Sequence, residues 1–205
     1  MRIEKFRRNS IGTIMLALLM IAALAACSSD DDDGGDDEPI FTRISEAELS
    51  PGDDIPVPED EDDIILTVTG KIGNPNQDNA IVMDLATIES VGEVEYTVFD
   101  PFREDEGPDV VFRGVLMSDL LDLWGVEADD VETLNVVALN DYAADVPAAD
   151  MWEYPVLFAL QADGEYMPVS TRGPAMLVYP YVDFEFDEPL YNNYWVWQIK
   201  LIDVQ

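Results

Sequence analysis

The stretch Val136-Val-Ala-Leu-Asn-Asp-Tyr-Ala-Ala-Asp-Val-Pro147 places a polar corner between two short apolar runs. Val136–Leu139 has the composition of a buried strand, and Tyr142–Val146 is typical of a returning strand that the closing proline ends. Asn140 and Asp141 are common turn residues, because their side chains bond their own backbone. The corner is therefore either a structural turn or the floor of a pocket, and the residue types favour the turn.

Outward from this hairpin, the chain alternates between strand-like and helix-like stretches. Strands are predicted where runs of β-branched and aromatic residues stand between turn residues. They cover Ile64–Gly70, Val94–Phe99, Val110–Arg113, Val156–Gln161, Met176–Tyr179 and Trp195–Val204. Asp84 is predicted to cap a short helix that runs to Ser90, and Ser118 to cap Asp119–Trp124. This order of elements predicts an α+β domain built on mixed β-sheet with short helices.

Four stretches resemble segments of one known family and occur in the family's order. They are Phe112-Arg-Gly-Val-Leu-Met-Ser-Asp-Leu-Leu121, Ala138-Leu-Asn-Asp-Tyr142, Gly173-Pro-Ala-Met-Leu-Val-Tyr-Pro180 and Trp195-Val-Trp-Gln-Ile-Lys-Leu-Ile-Asp-Val204. The family comprises small exported proteins of the molybdopterin-dependent oxidoreductase type, with the sulfite-oxidase-like fold. The resemblance spans Ile64 to Val204 and implies that fold, but it is less specific for an activity, since one fold hosts many functions.

The resemblance also implies a molybdenum centre held by one cysteine thiolate, a soft ligand suited to such a metal. That cysteine follows the strand equivalent to Val94–Phe99, where this chain has Glu95-Tyr-Thr-Val-Phe-Asp100 and no cysteine. Basic residues that would serve the cofactor's phosphate are replaced by Met176 and by Val196, which precedes Trp197. We therefore expect the fold without the metal site, and no cofactor, although molybdopterin remains open through the resemblance.

Composition excludes several classes of function. The 205 residues include 44 acidic and 10 basic side chains, no histidine and one cysteine, with a formal net charge of −34. Nucleic acid is excluded as a partner, because its phosphates must be neutralised by basic side chains. Ser-His and Cys-His catalysis and histidine-zinc sites are excluded as well. The segment from Ile64 onward holds 27 of the acidic and five of the basic residues, so the folded surface is acidic and indicates a halophilic protein.

Residues 1–26 have the order of a lipoprotein signal peptide. A positive segment with Arg2, Lys5, Arg7 and Arg8 precedes the apolar run 11–23, and Leu24-Ala-Ala-Cys27 follows. The apolar run is short for a membrane-spanning anchor, which is the alternative. The pattern predicts lipid attachment at Cys27, an exported protein held to the membrane by that lipid, and a periplasmic or cell-surface location. Lipidation would consume the thiol, so Cys27 cannot replace the missing metal ligand.

Residues 27–63 are predicted to form an acidic disordered tether ahead of a domain over 64–205. Positions 28–63 hold 16 acidic residues and one base, Arg43. Like charges extend such a segment, and its prolines and low apolar content oppose folding. The exception that we expect is at most a short docking turn at Phe41 and Ile44. The aspartate cluster lacks the spacing of an EF-hand, so calcium binding is not favoured.

Two functions from different classes remain open. The first is a binding module that presents a small anionic ligand, or itself, to an extracytoplasmic protein partner. Its candidate pocket consists of Asn140, Asp141, Tyr142, Arg172 and Tyr179. Arg172 is the candidate contact for an anion, and its alternative is a surface arginine paired with a nearby carboxylate. The second function is an oxidoreductase that holds its cofactor without a thiolate, through Asp141 or water. No catalytic residue is assigned. The binding module is favoured, because the domain has no cysteine to hold molybdenum and the chain has no histidine.

Overall fold

The structure is a computed structural model that describes residues 40–103, 109–181 and 183–205. The predicted signal peptide, Cys27 and the first part of the predicted tether lie outside these described residues. Within the described ranges, no helix has both the length and the apolar character needed to cross a membrane.

The described residues contain eleven strands and four short α-helices. The strands are β1 (Thr42–Arg43), β2 (Leu66–Gly70), β3 (Ile81–Met83), β4 (Glu93–Phe99), β5 (Asp109–Leu116), β6 (Thr133–Ala138), β7 (Ala143–Pro147), β8 (Leu157–Ala162), β9 (Glu165–Tyr166), β10 (Met176–Val178) and β11 (Ile199–Val204). The helices are α1 (Leu85–Glu89), α2 (Met117–Leu123), α3 (Asp150–Glu153) and α4 (Glu188–Tyr191).

The strands form two sheets. One has the order β1-β4-β5-β8-β10, with β9 paired to β8, and its pairs are antiparallel. The other has the order β3-β2-β11-β6-β7, in which β11 runs parallel to β2 and antiparallel to β6. The prediction of an α+β domain with mixed sheet is therefore confirmed.

One continuous apolar core takes side chains from both sheets and from α2. In β6 the alternation of apolar and polar residues places Leu134, Val136 and Ala138 on the buried face, as the pleat of a strand requires. Trp124 and Phe158 are among the largest fully buried side chains. Burial of this apolar surface is the main favourable contribution to folding.

The polar corner that joins β6 to β7 is a tight turn. The Asp141 N–H donates to the carbonyl of Ala138, and the Ala138 N–H donates to the carbonyl of Tyr142 at 2.8 Å. Asp141 has a φ of 65°, a left-handed conformation that aspartate and asparagine tolerate better than most residues. The returning strand β7 pairs with β6 in antiparallel register, with Val136 opposite Ala144. The predicted hairpin is confirmed.

The glycine at position 114 lets β5 and β8 come together. A Cβ at Gly114 would lie 2.1 Å from the carbonyl oxygen of Phe158, which is too close for any side chain. The register between these strands also shifts between Arg113 and Gly114. The sequence Phe112-Arg-Gly therefore marks an irregular strand in which backbone approaches backbone.

The predicted tether is wrong for residues 40–63. β1 pairs with β4, Ile55 is buried, and Phe41 and Leu49 pack against the core. Charge and proline content oppose folding of this segment in isolation, but a few apolar side chains find partners on a sheet that the rest of the chain supplies. The folded unit therefore begins upstream of Ile64.

Two element starts also differ from prediction. The helix α2 begins at Met117 after Leu116, without a side-chain cap from Ser118. The last strand begins at Ile199 instead of Trp195, because Gln198 has a φ of 55° and interrupts the extended backbone. By contrast, the Asp84 carboxylate accepts from the Thr87 N–H at 2.8 Å, so the predicted cap of α1 is confirmed.

Candidate functional site

A cavity of about 220 Å³ lies beside the β6–β7 turn. We call it the aromatic pocket, and it is lined by Phe102, Ala138, Asn140, Tyr142, Asn192, Asn193, Trp195, Trp197 and Gln198. The turn supplies two of these residues, and the segment ahead of β11 supplies most of the others. Of the five predicted pocket residues, Asn140 and Tyr142 are brought together here.

The turn holds Asn140 and Tyr142 at the mouth of the aromatic pocket. The Asn140 side-chain oxygen accepts from the Tyr142 N–H at 3.0 Å, which fixes the turn locally. The Tyr142 hydroxyl donates to the carbonyl of Asn193 at 3.1 Å and so ties the turn to the segment after α4. Tyr142 keeps 45 % of its surface exposed, which leaves part of its ring open to a ligand.

Three aromatic rings form the walls of the pocket. Phe102 meets Trp197 edge to face, with ring centroids 5.2 Å apart, and is tilted by 56° against Trp195 at 6.1 Å. Trp195 is 3 % exposed. The indole N–H groups of Trp195 and Trp197 are both buried and have no hydrogen-bond partner among the described residues.

Arg172 lines a separate cavity of about 440 Å³. We call this the charged cavity, and its lining comprises Asp100, Arg103, Val110, Ala162, Asp163, Glu165, Tyr166, Met167, Pro168, Thr171 and Arg172. The Arg172 guanidinium forms an ion pair with Asp100 and lies 4.6 Å from the centroid of the Trp197 ring. The structure therefore contains the alternative arrangement, in which Arg172 pairs with a carboxylate.

The Asp100 carboxylate is fully buried and both of its oxygens are engaged. One oxygen accepts from the Phe102 N–H at 2.9 Å, and the other accepts from Arg172. Asp100 directly follows β4, in the segment Glu95–Asp100 where the resemblance leads us to expect the metal-binding cysteine. This carboxylate is part of a closed ion pair.

Asp141 points away from the aromatic pocket. Its carboxylate is 86 % exposed and accepts from the Lys200 ammonium at 2.7 Å. The Lys200 hydrogen bond lowers the pKa of Asp141, and the charge of Lys200 acts in the same direction. The left-handed turn directs this side chain to the surface, which corrects its predicted place in the pocket.

Tyr179 belongs to the core and not to either cavity. Its hydroxyl donates to the Asp150 carboxylate at 3.2 Å, and its ring packs edge to face on Phe186 and Tyr191. Burial raises the pKa of Tyr179 strongly, and the nearby Asp150 carboxylate adds to the shift. Burial likewise raises the pKa of Asp150, against the hydrogen bonds from Tyr179 and Tyr191. The five predicted residues therefore do not form one pocket.

Comparison with known families identifies the domain. Residues 54–185 match the family described as "Oxidoreductase molybdopterin binding domain". The chain belongs to this family. The predicted recognition and sulfite-oxidase-like fold are thus confirmed, and the family match begins within the segment that the sequence had assigned to a tether.

A solved structure supports the family's fold for this chain. The crystal structure of the sulfane dehydrogenase SoxCD from Paracoccus pantotrophus is similar, with a TM-score of 0.52 and 18 % identity. The similarity covers 72 % of this chain and 39 % of that chain, so this member of the family spans well under half of the enzyme's length. Among curated proteins, no match was found.

The residues of this family member do not fit a thiolate-anchored molybdenum. The position after β4 holds a buried carboxylate that is already paired with Arg172 and bonded to a backbone N–H. Met176 and Val196, at the positions of the basic residues, are fully buried in the core. Within the described ranges, no cluster of three or more acidic, cysteine or histidine side chains could hold a metal ion.

The sequence places the segment Glu95–Asp100 at the expected metal position, but it does not predict the pairing of Asp100 with Arg172 or the part of Phe102 and the tryptophans in the site. The sequence predicts a regular last strand over Trp195–Val204, in which Trp195 and Trp197, two residues apart, share one face. Both do line one pocket, but the backbone there is irregular, with a φ of 55° at Gln198, and β11 begins only at Ile199. The signal available in the sequence was the position of Asp100 at the end of a predicted strand, where the family has its metal ligand.

Proposed function

We propose that this chain is a lipid-anchored, exported member of the family whose domain serves as a ligand- or partner-binding module instead of a molybdenum enzyme. The observation that carries the proposal is the closed Asp100–Arg172 ion pair at the position after β4. A carboxylate that is fully buried and paired is a poor ligand for a soft metal centre, because binding the metal would leave a guanidinium without its partner.

The export and anchoring part of the proposal rests on the N-terminal sequence. The positive segment, the short apolar run and Leu24-Ala-Ala-Cys27 occur in the order of a lipoprotein signal. An N-terminal lipid would place the domain at the periplasmic or cell-surface side of a membrane. There the partner would be a small ligand or another extracytoplasmic protein.

The alternative is a molybdopterin-dependent oxidoreductase with a metal site that lacks cysteine, and the description of the family favours it. Asp141, the ligand suggested for that site, is an exposed carboxylate bound to Lys200. An exposed carboxylate can ligate a hard metal, but it does not replace the thiolate of the family's metal centre. The module is therefore the function that the site supports best.

Elemental analysis tests the two functions. The protein is produced in its native host with molybdate supplied, and molybdenum is measured per chain for the native protein and for Asp141→Ala. We expect no stoichiometric molybdenum in either. About one molybdenum per chain in the native protein, lost on D141A, would overturn the module and establish the enzyme.

A matched pair of variants at position 100 sharpens the experiment. Asp100→Cys places a thiol after β4 and removes the charge that holds Arg172, while Asp100→Ser removes the charge without adding a thiol. Molybdenum in D100C but not in D100S would support the proposal that Asp100 closes a former metal position. Equal molybdenum in the native protein and both variants would contradict it.

A further inference from the structure

A further cavity, of about 430 Å³, takes part of its lining from β2 and β11 and shares no lining residue with the two cavities described above. We call it the apolar cavity, because six of its lining residues are apolar: Ile64, Ile65, Leu139, Val169, Pro174 and Leu201. Thr67 and Lys200 complete the lining. The volume falls within the roughly 300–1,000 Å³ of ligand sites, and apolar walls with a few polar groups are typical of such sites.

The walls of the apolar cavity are open to solvent. None of its lining residues is buried, and Leu139 and Val169 keep 44 % and 55 % of their surface exposed. Exposed aliphatic side chains are ordinary when they stand singly, but these two belong to one concave surface with four other apolar residues. A ligand therefore reaches the apolar walls directly.

Gln198 holds the two exposed aliphatic residues in place. Its backbone carbonyl accepts from the Leu139 N–H at 2.8 Å, and its side-chain amide donates to the carbonyl of Val169. The Gln198 N–H donates to the carbonyl of Arg172 at 2.9 Å, which gives the loop that carries Val169 and Pro174 a second attachment. The walls are thus preorganised, which reduces the entropy lost when a ligand binds.

A bulge in β11 brings Lys200 into the lining. Ile199 lies opposite Ala138 and Leu201 lies opposite Val137, so Lys200 is an extra residue without a partner on β6. In a regular strand Lys200 and Leu201 would point to opposite faces, but both line this cavity. Bulges re-aim side chains in this way next to functional sites.

The lining carries one positive charge and no carboxylate, which sets it apart on so acidic a protein. The segment from Ile64 onward has 27 acidic and five basic residues, and the charged cavity alone includes Asp100, Asp163 and Glu165. The acidic excess opposes an anion at long range, but at physiological ionic strength salt screens charges beyond about 8 Å. At contact distance the ammonium of Lys200 attracts an anion and repels a cation.

Lys200 can exchange its present partner for a ligand. Its ammonium bonds the Asp141 carboxylate at 2.7 Å, but that carboxylate is 86 % exposed and is not part of the cavity lining. An exposed pair of this kind contributes little to stability, so a competing carboxylate displaces it at small cost. Arg172, by contrast, is held by the fully buried carboxylate of Asp100.

We infer that the apolar cavity binds an apolar monocarboxylate of the class of a medium-chain fatty acid. The alkyl tail lies along Leu139, Val169 and Leu201, and the ligand carboxylate replaces that of Asp141 at Lys200. One ammonium and one hydroxyl match one carboxylate, whereas a phosphate or a dianion needs more donors than this lining offers. The inference rests on the proposed function as a binding module and names its ligand class.

Isothermal titration with octanoate at pH 8 tests the inference on the full chain in phosphatidylcholine nanodiscs. Empty nanodiscs are titrated in parallel, so that partition into lipid is subtracted. Octanol has the same tail without a charge, octylammonium has the opposite charge, and acetate has the head group without the tail. We expect octanoate to saturate one site with a Kd below about 1 mM, and each of the other three compounds to bind at least about tenfold more weakly.

Two matched pairs of variants localise the binding. Lys200→Met removes the ammonium and should weaken octanoate binding about tenfold, while Lys200→Arg keeps the charge and should bind within about threefold of the native protein. Val169→Ser removes part of an apolar wall and should weaken binding roughly fivefold. Val57→Ser changes another half-exposed valine outside the cavity and should leave binding unchanged.

Asp141→Asn should strengthen binding, which a merely structural role of Lys200 would not produce. The substitution removes the charge that competes for Lys200 and keeps the left-handed turn, which asparagine tolerates. We expect D141N to bind octanoate about threefold more tightly than the native protein. The double variant D141N/K200M should show no such gain over K200M.

The outcomes separate this inference from the proposed function. Octanoate binding that K200M and V169S weaken and D141N strengthens supports the inference. No saturable octanoate binding at about 10 mM, equal binding of octanol, or native affinity in K200M overturns it. With nanodiscs in excess, two native chains per disc and one V169S chain per disc would show a second copy in the cavity and overturn it as well. Stoichiometric molybdenum would overturn the proposed function whether or not octanoate binds.

Discussion

The carboxylate of Asp100 and the guanidinium of Arg172 form an ion pair at the end of β4, with the carboxylate fully buried and the guanidinium lying over the ring of Trp197. This relationship connects the two cavities, because Arg172 lines the charged cavity and Trp197 lines the aromatic pocket. The pair also lies next to β4, in the segment where the resemblance leads us to expect the metal ligand. The pair therefore has a structural role that can be measured as stability.

Arg172→Met should lower the free energy of unfolding by about 2–4 kcal/mol, because it leaves a buried carboxylate unpaired. The contact of the guanidinium with Trp197 is lost as well. Urea denaturation of the native and variant proteins measures the change.

Adding Asp100→Asn to R172M should restore part of the loss, because the amide oxygen can still accept from the Phe102 N–H. Lys200→Met, which breaks the exposed pair with Asp141, should have a much smaller effect. An R172M protein as stable as the native one would contradict the argument.

The pH dependence of stability should reveal the buried Asp150. Burial raises the pKa of Asp150 above its ordinary value, despite the hydrogen bonds from Tyr179 and Tyr191. The folded state therefore holds the proton more tightly than the unfolded chain. This contribution to stability is fully present below the unfolded pKa of about 3.9 and is lost as the pH rises through the folded pKa. Asp150→Asn removes the dependence, so its melting temperature relative to the native protein should rise with pH in that window.

Asp141→Asn tests a carboxylate whose pKa is lowered in the folded protein, in contrast to the raised pKa of Asp150. The Lys200 hydrogen bond lowers the pKa of Asp141, so this carboxylate contributes stability that is present above its unfolded pKa and is lost as the pH falls through the folded pKa. Asparagine tolerates the left-handed conformation at this position, so the turn is kept. The melting temperature of D141N relative to the native protein should fall as the pH rises. A curve for D141N that runs parallel to the curve for D150N would contradict at least one of the two assignments, and its slope would show which.

Much of the fold follows from local sequence, and the site does not. The strands β2, β4, β6 and β8 lie within a few residues of their predicted positions, because runs of apolar residues between turn residues specify them. The Asp100–Arg172 pair and the pocket of Asn140, Trp195 and Trp197 join segments that are far apart in the chain. Nothing in a local pattern encodes which distant side chain meets a buried carboxylate.

The segment 40–63 shows what composition alone fails to predict. Its charge and prolines dominate its composition, so composition predicted a tether, whereas a few apolar residues determine where it docks. Ile55 is 5 % exposed, and Phe41 and Leu49 pack on the core. These residues fold only against a sheet that is built elsewhere in the chain, which composition alone does not describe.

Docking of this segment predicts a loss of stability when it is removed. Burial of one aliphatic side chain such as Ile55 contributes about 1.5–3 kcal/mol, and β1 adds its pairing with β4. A chain that begins at Ile64 should therefore unfold at lower urea concentration than a chain that begins at Glu38. In the longer chain, Ile55→Ala should cost about 2–4 kcal/mol, whereas Val57→Ala, at a side chain that is 50 % exposed, should cost little. Equal stability of the two chains would contradict the docking.

Lipid anchoring predicts the behaviour of Cys27→Ala. The thiol at the end of Leu24-Ala-Ala-Cys27 is the atom to which lipid would be attached, so its removal should block both lipidation and maturation. Labelled palmitate supplied to the native host should enter the native protein and not the variant. A matched Ser28→Ala variant keeps the thiol and should incorporate label normally. Normal labelling of C27A, with processing at the same site, would contradict the anchor.

Salt should stabilise the folded domain. Four of the five basic residues from Ile64 onward pair with carboxylates: Arg103, Arg113, Arg172 and Lys200. The fifth, Lys71, bonds the carbonyl of Asp130. With 27 acidic residues in that segment, most carboxylates are left without a basic partner, and folding brings them together. At 1 M salt the screening length falls to about 3 Å, so repulsion among exposed carboxylates is largely removed.

We therefore expect the melting temperature of the chain beginning at Glu38 to rise as NaCl increases from low to molar concentration. Exposed pairs such as Lys200–Asp141 lose strength in the same salt, but they are few and each contributes little. Replacing exposed Glu127 and Asp129 by lysine lowers the excess of negative charge, so the slope of melting temperature against salt should become smaller in that variant. Substituting the same two residues by glutamine and asparagine should give an intermediate slope. A flat or falling curve for the native chain would show that repulsion among its carboxylates does not limit its stability.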